Sequence, residues 1–152
     1  MKLYHGSNVK VDAPEIKTIG FYKDFGYGFY CTAIEKQACR WALTKRPEHV
    51  VSVYEYTPDE TLKVYSFPAM SEEWLDFVVA NRRFAPLHDY DIVLGPVAND
   101  NLYATISLYE NGELSAEAAV VQLKTHVLFN QVSFHTDKAL SQLRFVGAMI
   151  VD

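Results

Sequence analysis

Hydrophobic and polar positions along the chain fall into two rhythms, one of period two and one of period three to four. KLYHGS, from Lys2, predicts a short strand through His5 that Gly6 and Ser7 halt, and a loop with Asp12 and Pro14 follows. Phe29–Cys31 reads as a strand end. Thr32 stands three residues before Glu35, the spacing of a capping box, and Ala38, Trp41 and Ala42 share one helical face before Pro47. HVVSVYEYT is β-branched and aromatic throughout and predicts a strand, with LKVYSF a second one across PDE. SEEWLDFVVANRR predicts a helix with acids in its first turn and Trp74, Phe77 and Val78 toward the core. YDIVLGPV is a continuous apolar strand stopped by Gly95 and Pro96. Asn99 or Asp100 starts a helix carrying Leu102, Ile106 and Tyr109, which Asn111–Gly112 ends. Ser115 caps LSAEAAVVQLK, HVLFNQVSF predicts a strand, Thr136 caps a short helix through Leu143, and RFVGAMIV is a further strand.

These elements make a mixed domain of about six or seven strands and four or five helices that do not alternate regularly. With no G-x-G-x-x-G after the first strand and no regular alternation, a doubly wound dinucleotide-binding sheet is not expected. No repeat or linker interrupts the pattern, so one domain over residues 1–152 is expected. A hydrophobic fraction of 49% and a charged fraction of 22% suit a globular chain. The net charge of -5, from 14 basic and 19 acidic residues, offers no general attraction for nucleic acid or anionic lipid. No window is long and apolar enough to span a membrane, and the N-terminus has no apolar leader. A cytoplasmic protein with no membrane partner is therefore expected. Cys31 and Cys39 form neither a disulfide framework nor a metal motif and read as buried thiols. HExxH, a P-loop, GxSxG and cysteine–histidine metal spacings are all missing, and His5, His49, His88, His126 and His135 are scattered singly.

Taken together, several stretches carry a resemblance. YHGS at 4–7, then FGYGFY at 25–30 and a helix, resemble the first two motifs of the ADP-ribosyltransferase superfamily, in the histidine–tyrosine branch of the poly-ADP-ribose polymerases and diphtheria toxin. YHGSN, DFGYGFYCT with QACRWA, EWLDFVVANRR, YDIVLGPVAND and NQVSFHTDKAL, in that order over nearly the whole chain, resemble the bacterial domain of unknown function 3990 within it. The resemblance implies an α+β fold with split mixed and antiparallel sheets flanked by helices. The implied activity is mono-ADP-ribosyl transfer, with NAD as co-substrate, an unidentified acceptor and release of nicotinamide. Hydrolysis of NAD, or binding of NAD or ADP-ribose without chemistry, are the alternatives. Position by position it implies His5 on the ribose hydroxyl, the Gly6 main chain and the Ser7 hydroxyl on the carboxamide, and Tyr30 stacked on the nicotinamide ring. Trp41 would sandwich that ring, and Gln131 stands where a catalytic glutamate is usual. A small free-standing domain of this kind also resembles the toxin of a toxin–antitoxin pair, with a cognate antitoxin as partner.

The same residues make chemical sense for a flat amide-bearing ring. Two aromatic faces and a main-chain pair would fix it, and glycines at 6, 26 and 28 allow close approach and a tight turn. Breaking the nicotinamide–ribose bond develops positive charge on the sugar, so catalysis is largely positioning and charge stabilisation. A glutamine at 131 accepts a hydrogen bond but is no general base. The carboxylates expected near it are Asp100, Glu113, Glu117 and Asp137. Of Arg82 and Arg83, adjacent on a helix, at most one can face the NAD pyrophosphate, and Arg82 is taken as that contact.

Overall fold

The computed structural model describes residues 1–18, 23–84, 88–98, 103–123 and 130–152. They form seven strands and five helices: β1 (Lys2–Ser7), β2 (Phe29–Cys31), α1 (Glu35–Leu43), β3 (Val50–Tyr56), β4 (Val64–Ser66), α2 (Glu72–Phe84), β5 (Ile92–Pro96), α3 (Tyr103–Glu110), α4 (Ala116–Leu123), β6 (Asn130–Phe134), α5 (Asp137–Leu140) and β7 (Leu143–Ile150). The expected helix start at Asn99 or Asp100, Leu102, His126 and the strand segment 126–129 lie outside the described residues.

The architecture is mixed α+β with two sheets. One is antiparallel with strand order β1-β3-β7, and the other runs β2-β6-β5-β4 with only β4–β5 parallel. Among the described residues one bridge joins the two sheets: Tyr4 and Thr32 exchange both main-chain hydrogen bonds, at 2.8 and 2.9 Å. Side-chain alternation then sorts the core into three parts. Leu3 and Tyr54 of the first sheet meet Phe29, Cys31, Ile92, Val132 and Phe134 of the second. On the opposite face of the first sheet, Ala38 and Ala42 of α1 pack on Val51. On the opposite face of the second, Tyr30 and Val93 lie under Trp74, Leu75 and Val78 of α2, with Ile106 of α3 and Ala119 of α4.

Local chemistry explains most element ends. Ser71 Oγ accepts from the Trp74 amide, and α2 has Glu72 and Glu73 in its first turn and Arg82 and Arg83 in its last, complementing its dipole. Thr136 Oγ1 accepts from the Ala139 amide and caps α5 as expected, although α5 ends at Leu140 rather than Leu143. Gly112, at φ 78, closes α3. The Thr32–Glu35 capping box does not form. Thr32 is fully buried and its backbone is committed to Tyr4, so α1 starts only at Glu35, with Ile34 as a cap that makes no side-chain bond. Cys31 is buried, whereas Cys39 on α1 is half-exposed, correcting the reading of two buried thiols. Among the described residues no helix is long and apolar enough to cross a membrane.

Candidate functional site

The second glycine turn builds the centre of the site. Gly26 adopts φ 88, a conformation L side chains resist, and a Cβ at Gly28 would stand 2.8 Å from the Phe134 carbonyl. The chain therefore doubles back tightly enough for the Tyr30 hydroxyl to donate to Gly26 O at 2.6 Å and accept from the Phe25 amide at 3.0 Å. Tyr30 is buried, with Phe25 nearly parallel to its ring at 6.5 Å and His135 edge-on at 6.3 Å. Burial first, then the nearby Asp24 charge, pushes its phenol well above the usual tyrosine range, so its hydroxyl is a hydrogen-bonding anchor rather than an acid.

His5 reaches this turn from the other sheet. Its Nδ1 lies 2.6 Å from the Tyr30 carbonyl and its ring stacks on Phe29 at 4.2 Å. A carbonyl only accepts, so Nδ1 carries the proton and Nε2 of the neutral ring is left as an acceptor. The ring is neutral because burial lowers its pKa from 6.5 to about 4, with Lys23 and Lys45 adding to the effect against the Tyr30 hydrogen bond. His5, Ser7, Lys23, Tyr27, Phe29 and Tyr30 share one cavity of about 410 Å³.

The remaining expected residues divide. Gly6 sits under α1, where a Cβ would stand 2.4 Å from the Ala38 carbonyl and 2.8 Å from the Ala42 nitrogen. Its close approach is thus made to a helix. Because Tyr4 bonds to Thr32, the ladder's alternation turns the Gly6 amide and carbonyl toward that same edge of β1, away from β3. The Trp41 Cβ lies 3.0 Å from where a Gly6 Cβ would stand, and Trp41 is not among the residues that line the cavity with Tyr30.

Gln131 shares a sheet face with Tyr30, since Tyr30 pairs with Ser133 two residues along β6. It is nevertheless buried away from the cavity. Its Nε2 donates to Asp24 Oδ2 at 3.0 Å and to Pro96 O at 3.1 Å, and it lines a separate space of about 260 Å³ with Asn130, Leu94 and Phe67. Arg82 is likewise taken: its Nε meets Asp24 Oδ1 at 2.9 Å, both side chains being largely buried. Arg83 pairs with Glu110 at 3.1 Å.

Asp24 is the residue that the sequence pattern did not single out. Beside Arg82 and Gln131 it accepts from the Ala98 amide at 2.9 Å, so one buried carboxylate ties together the glycine turn, α2, the end of β5 and β6. Burial raises its pKa above the usual carboxylate value, opposed by Arg82 and by those hydrogen bonds. The one available signal was its place at the head of DFGYGFY. Glu113, Glu117 and Asp137 are exposed, and Asp100 lies outside the described residues. His135 was also unassigned: Ser133 Oγ meets its Nε2 at 2.7 Å and its Nδ1 donates to Tyr27 O at 2.8 Å, while burial lowers its pKa to about 4. Among the described residues no group of three or more histidine, cysteine or acidic side chains is placed to hold a metal ion.

Residues 1–145 match DUF3990, described as a protein of unknown function, and the chain belongs to that family. No curated protein and no solved structure matches it.

Proposed function

We propose that this DUF3990 chain has an ADP-ribosyltransferase-like fold and moves a single ADP-ribose from NAD to an acceptor, releasing nicotinamide. One observation carries the reading: His5 and Tyr30, on strands of different sheets and 25 residues apart, are hydrogen-bonded together at one aromatic-walled cavity. In this reading His5 Nε2 accepts from a ribose hydroxyl, the Tyr30 ring takes the nicotinamide, and Ser7 together with the outward edge of Gly6 meets the carboxamide. These interactions tighten as positive charge develops on the ribose, which is where positioning lowers the barrier. NAD is a co-substrate here. The acceptor is a protein, nucleic acid or small molecule, and a cognate antitoxin is the expected protein partner if the chain acts as a toxin.

Gln131 supports a second reading, a module that grips NAD or ADP-ribose without turnover, because its amide is spent on Asp24 and Pro96 and it brings no charge. Mass spectrometry of purified protein with NAD and lysate separates the readings. Transfer predicts free nicotinamide plus an ADP-ribose adduct, both lost in Tyr30→Ala and His5→Ala. Nicotinamide with free ADP-ribose alone identifies hydrolysis, and NAD binding without nicotinamide release identifies the binding module. No binding and no release refutes the proposal.

A further inference from the structure

Lys23 is the cavity lysine that stands over the Tyr30 ring. Its Nζ stands 5.0 Å from the centre of the Tyr30 ring, and its side chain lines the cavity that His5 and Tyr30 share. An ammonium is drawn to an aromatic face by the ring quadrupole, more strongly where water is excluded. Phe25 and His135 already pack on this ring, so a flat molecule entering from the cavity reaches the ring through the position Lys23 occupies. Lys23 is exposed on the cavity's open side, and partial desolvation, with repulsion from Lys45 and against the pull of Asp24, lowers its pKa. Its four-carbon stem swings without any backbone change. Lys10 and Lys17 line the same cavity together with Asp12 and Glu15, and Lys10 lies 4.0 Å from Asp12, so Lys23 is the lysine placed at the ring itself.

We propose that Lys23 guards the Tyr30 ring of this cavity: it covers Tyr30 when the cavity is empty, yields the ring to a ligand that is itself a flat cation, and then holds that ligand's phosphate. The phosphate role rests on the NAD reading. The displacement does not, because it needs only Lys23, Tyr30 and a cation. A neutral ring gains less from the exchange, since it gives up an ammonium–ring attraction without replacing it.

The test is calorimetric titration of the wild type and Lys23→Met with tetramethylammonium, 1-methylnicotinamide, nicotinamide and ADP-ribose. Lys23→Met is expected to bind the two cations about threefold to tenfold more tightly and neutral nicotinamide more tightly by a similar factor, because each is relieved of displacing the same ammonium. ADP-ribose is expected to bind about fivefold more weakly to the variant. In the wild type, the Lys23 ε-methylene proton signal should be ring-current shifted upfield and should move back when tetramethylammonium is added. Cation affinity unchanged or weaker in Lys23→Met, or an unshifted ε-methylene signal, overturns the inference. Equal ADP-ribose affinity in both proteins overturns the phosphate role. Tightened tetramethylammonium binding with no NAD or ADP-ribose binding keeps the displacement and refutes the NAD reading instead.

Discussion

Arg82→Met separates a structural arginine from a ligand-binding one. Arg82 is 15% exposed and its partner Asp24 is 8% exposed, so the pair is screened little by water. Removing the guanidinium leaves a buried carboxylate held only by the Ala98 amide and the Gln131 side chain. Breaking one side of such a pair costs about 3–5 kcal/mol, out of a total stability of roughly 5–15 kcal/mol. In a domain of this size that is a fall in melting temperature of about 10 °C. The loss also depends on pH with a definite sign. Burial already puts the Asp24 pKa above its unfolded value, and losing Arg82 raises it further. A carboxyl of that kind contributes most below its unfolded pKa, and stability drains away as pH rises through the folded one. Urea unfolding followed by tryptophan fluorescence should therefore find Arg82→Met less impaired at pH 5 than at pH 7.5. Arg82→Met with Asp24→Asn removes both buried charges and should recover to within about 2 kcal/mol of the wild type. Losses that simply add in the double variant would refute the reasoning, as would an Arg82→Met protein of full stability that has lost only NAD affinity.

Three further outcomes can be checked on the same protein. His5 and His135 are neutral in the fold, each with its pKa lowered to about 4, so the unfolded chain binds more protons below pH 6.5. Stability should fall on acidification from pH 7 toward 4, by up to about 3 kcal/mol for each ring, and the slope should flatten in His135→Asn. Gly6→Ala drives a Cβ to 2.4 Å from a helix carbonyl and should cost about 1–3 kcal/mol in thermal melts. Gly147→Ala meets nothing within 4 Å and is the control, expected to melt close to the wild type. Tyr30→Phe strands the Phe25 amide and should lose about 1–3 kcal/mol while keeping its ring. Nicotinamide release should therefore survive better in Tyr30→Phe than in Tyr30→Ala, and equal loss in both would place the function in the hydroxyl.

What could be read from the sequence was what local chemistry decides. The β-branched run of β3, the Ser71 and Thr136 caps and the αL glycine at 112 all follow from neighbours a few residues away. So does the glycine turn that seats Tyr30. The Thr32 cap failed because a strand partner 28 residues earlier claimed that residue's backbone. The division into two sheets and the order β2-β6-β5-β4 depend on pairings that no local spacing announces. At the site, the pairing of His5 with Tyr30 was legible as two motifs in order. The fates of Gln131 and Arg82 were not, since both are decided by one carboxylate far away in the chain. An aspartate heading an aromatic turn looks like an ordinary turn residue until its partners are known.

Those partners also set when the site can exist. Asp24 meets Arg82, Ala98 and Gln131 at separations of 58, 74 and 107 residues. Contacts so distant in sequence close late, after the entropy of long loops has been overcome. On a ribosome the chain emerges from its N-terminus, so both cavity motifs leave the tunnel long before β6 does. A nascent chain carrying only those motifs has the glycine turn but not the strand that pairs with β2 along Phe29–Cys31. Whatever the cavity does, it is assembled only once β6 has emerged to pair with β2, and chains stopped short of β6 carry its signature residues without its shape.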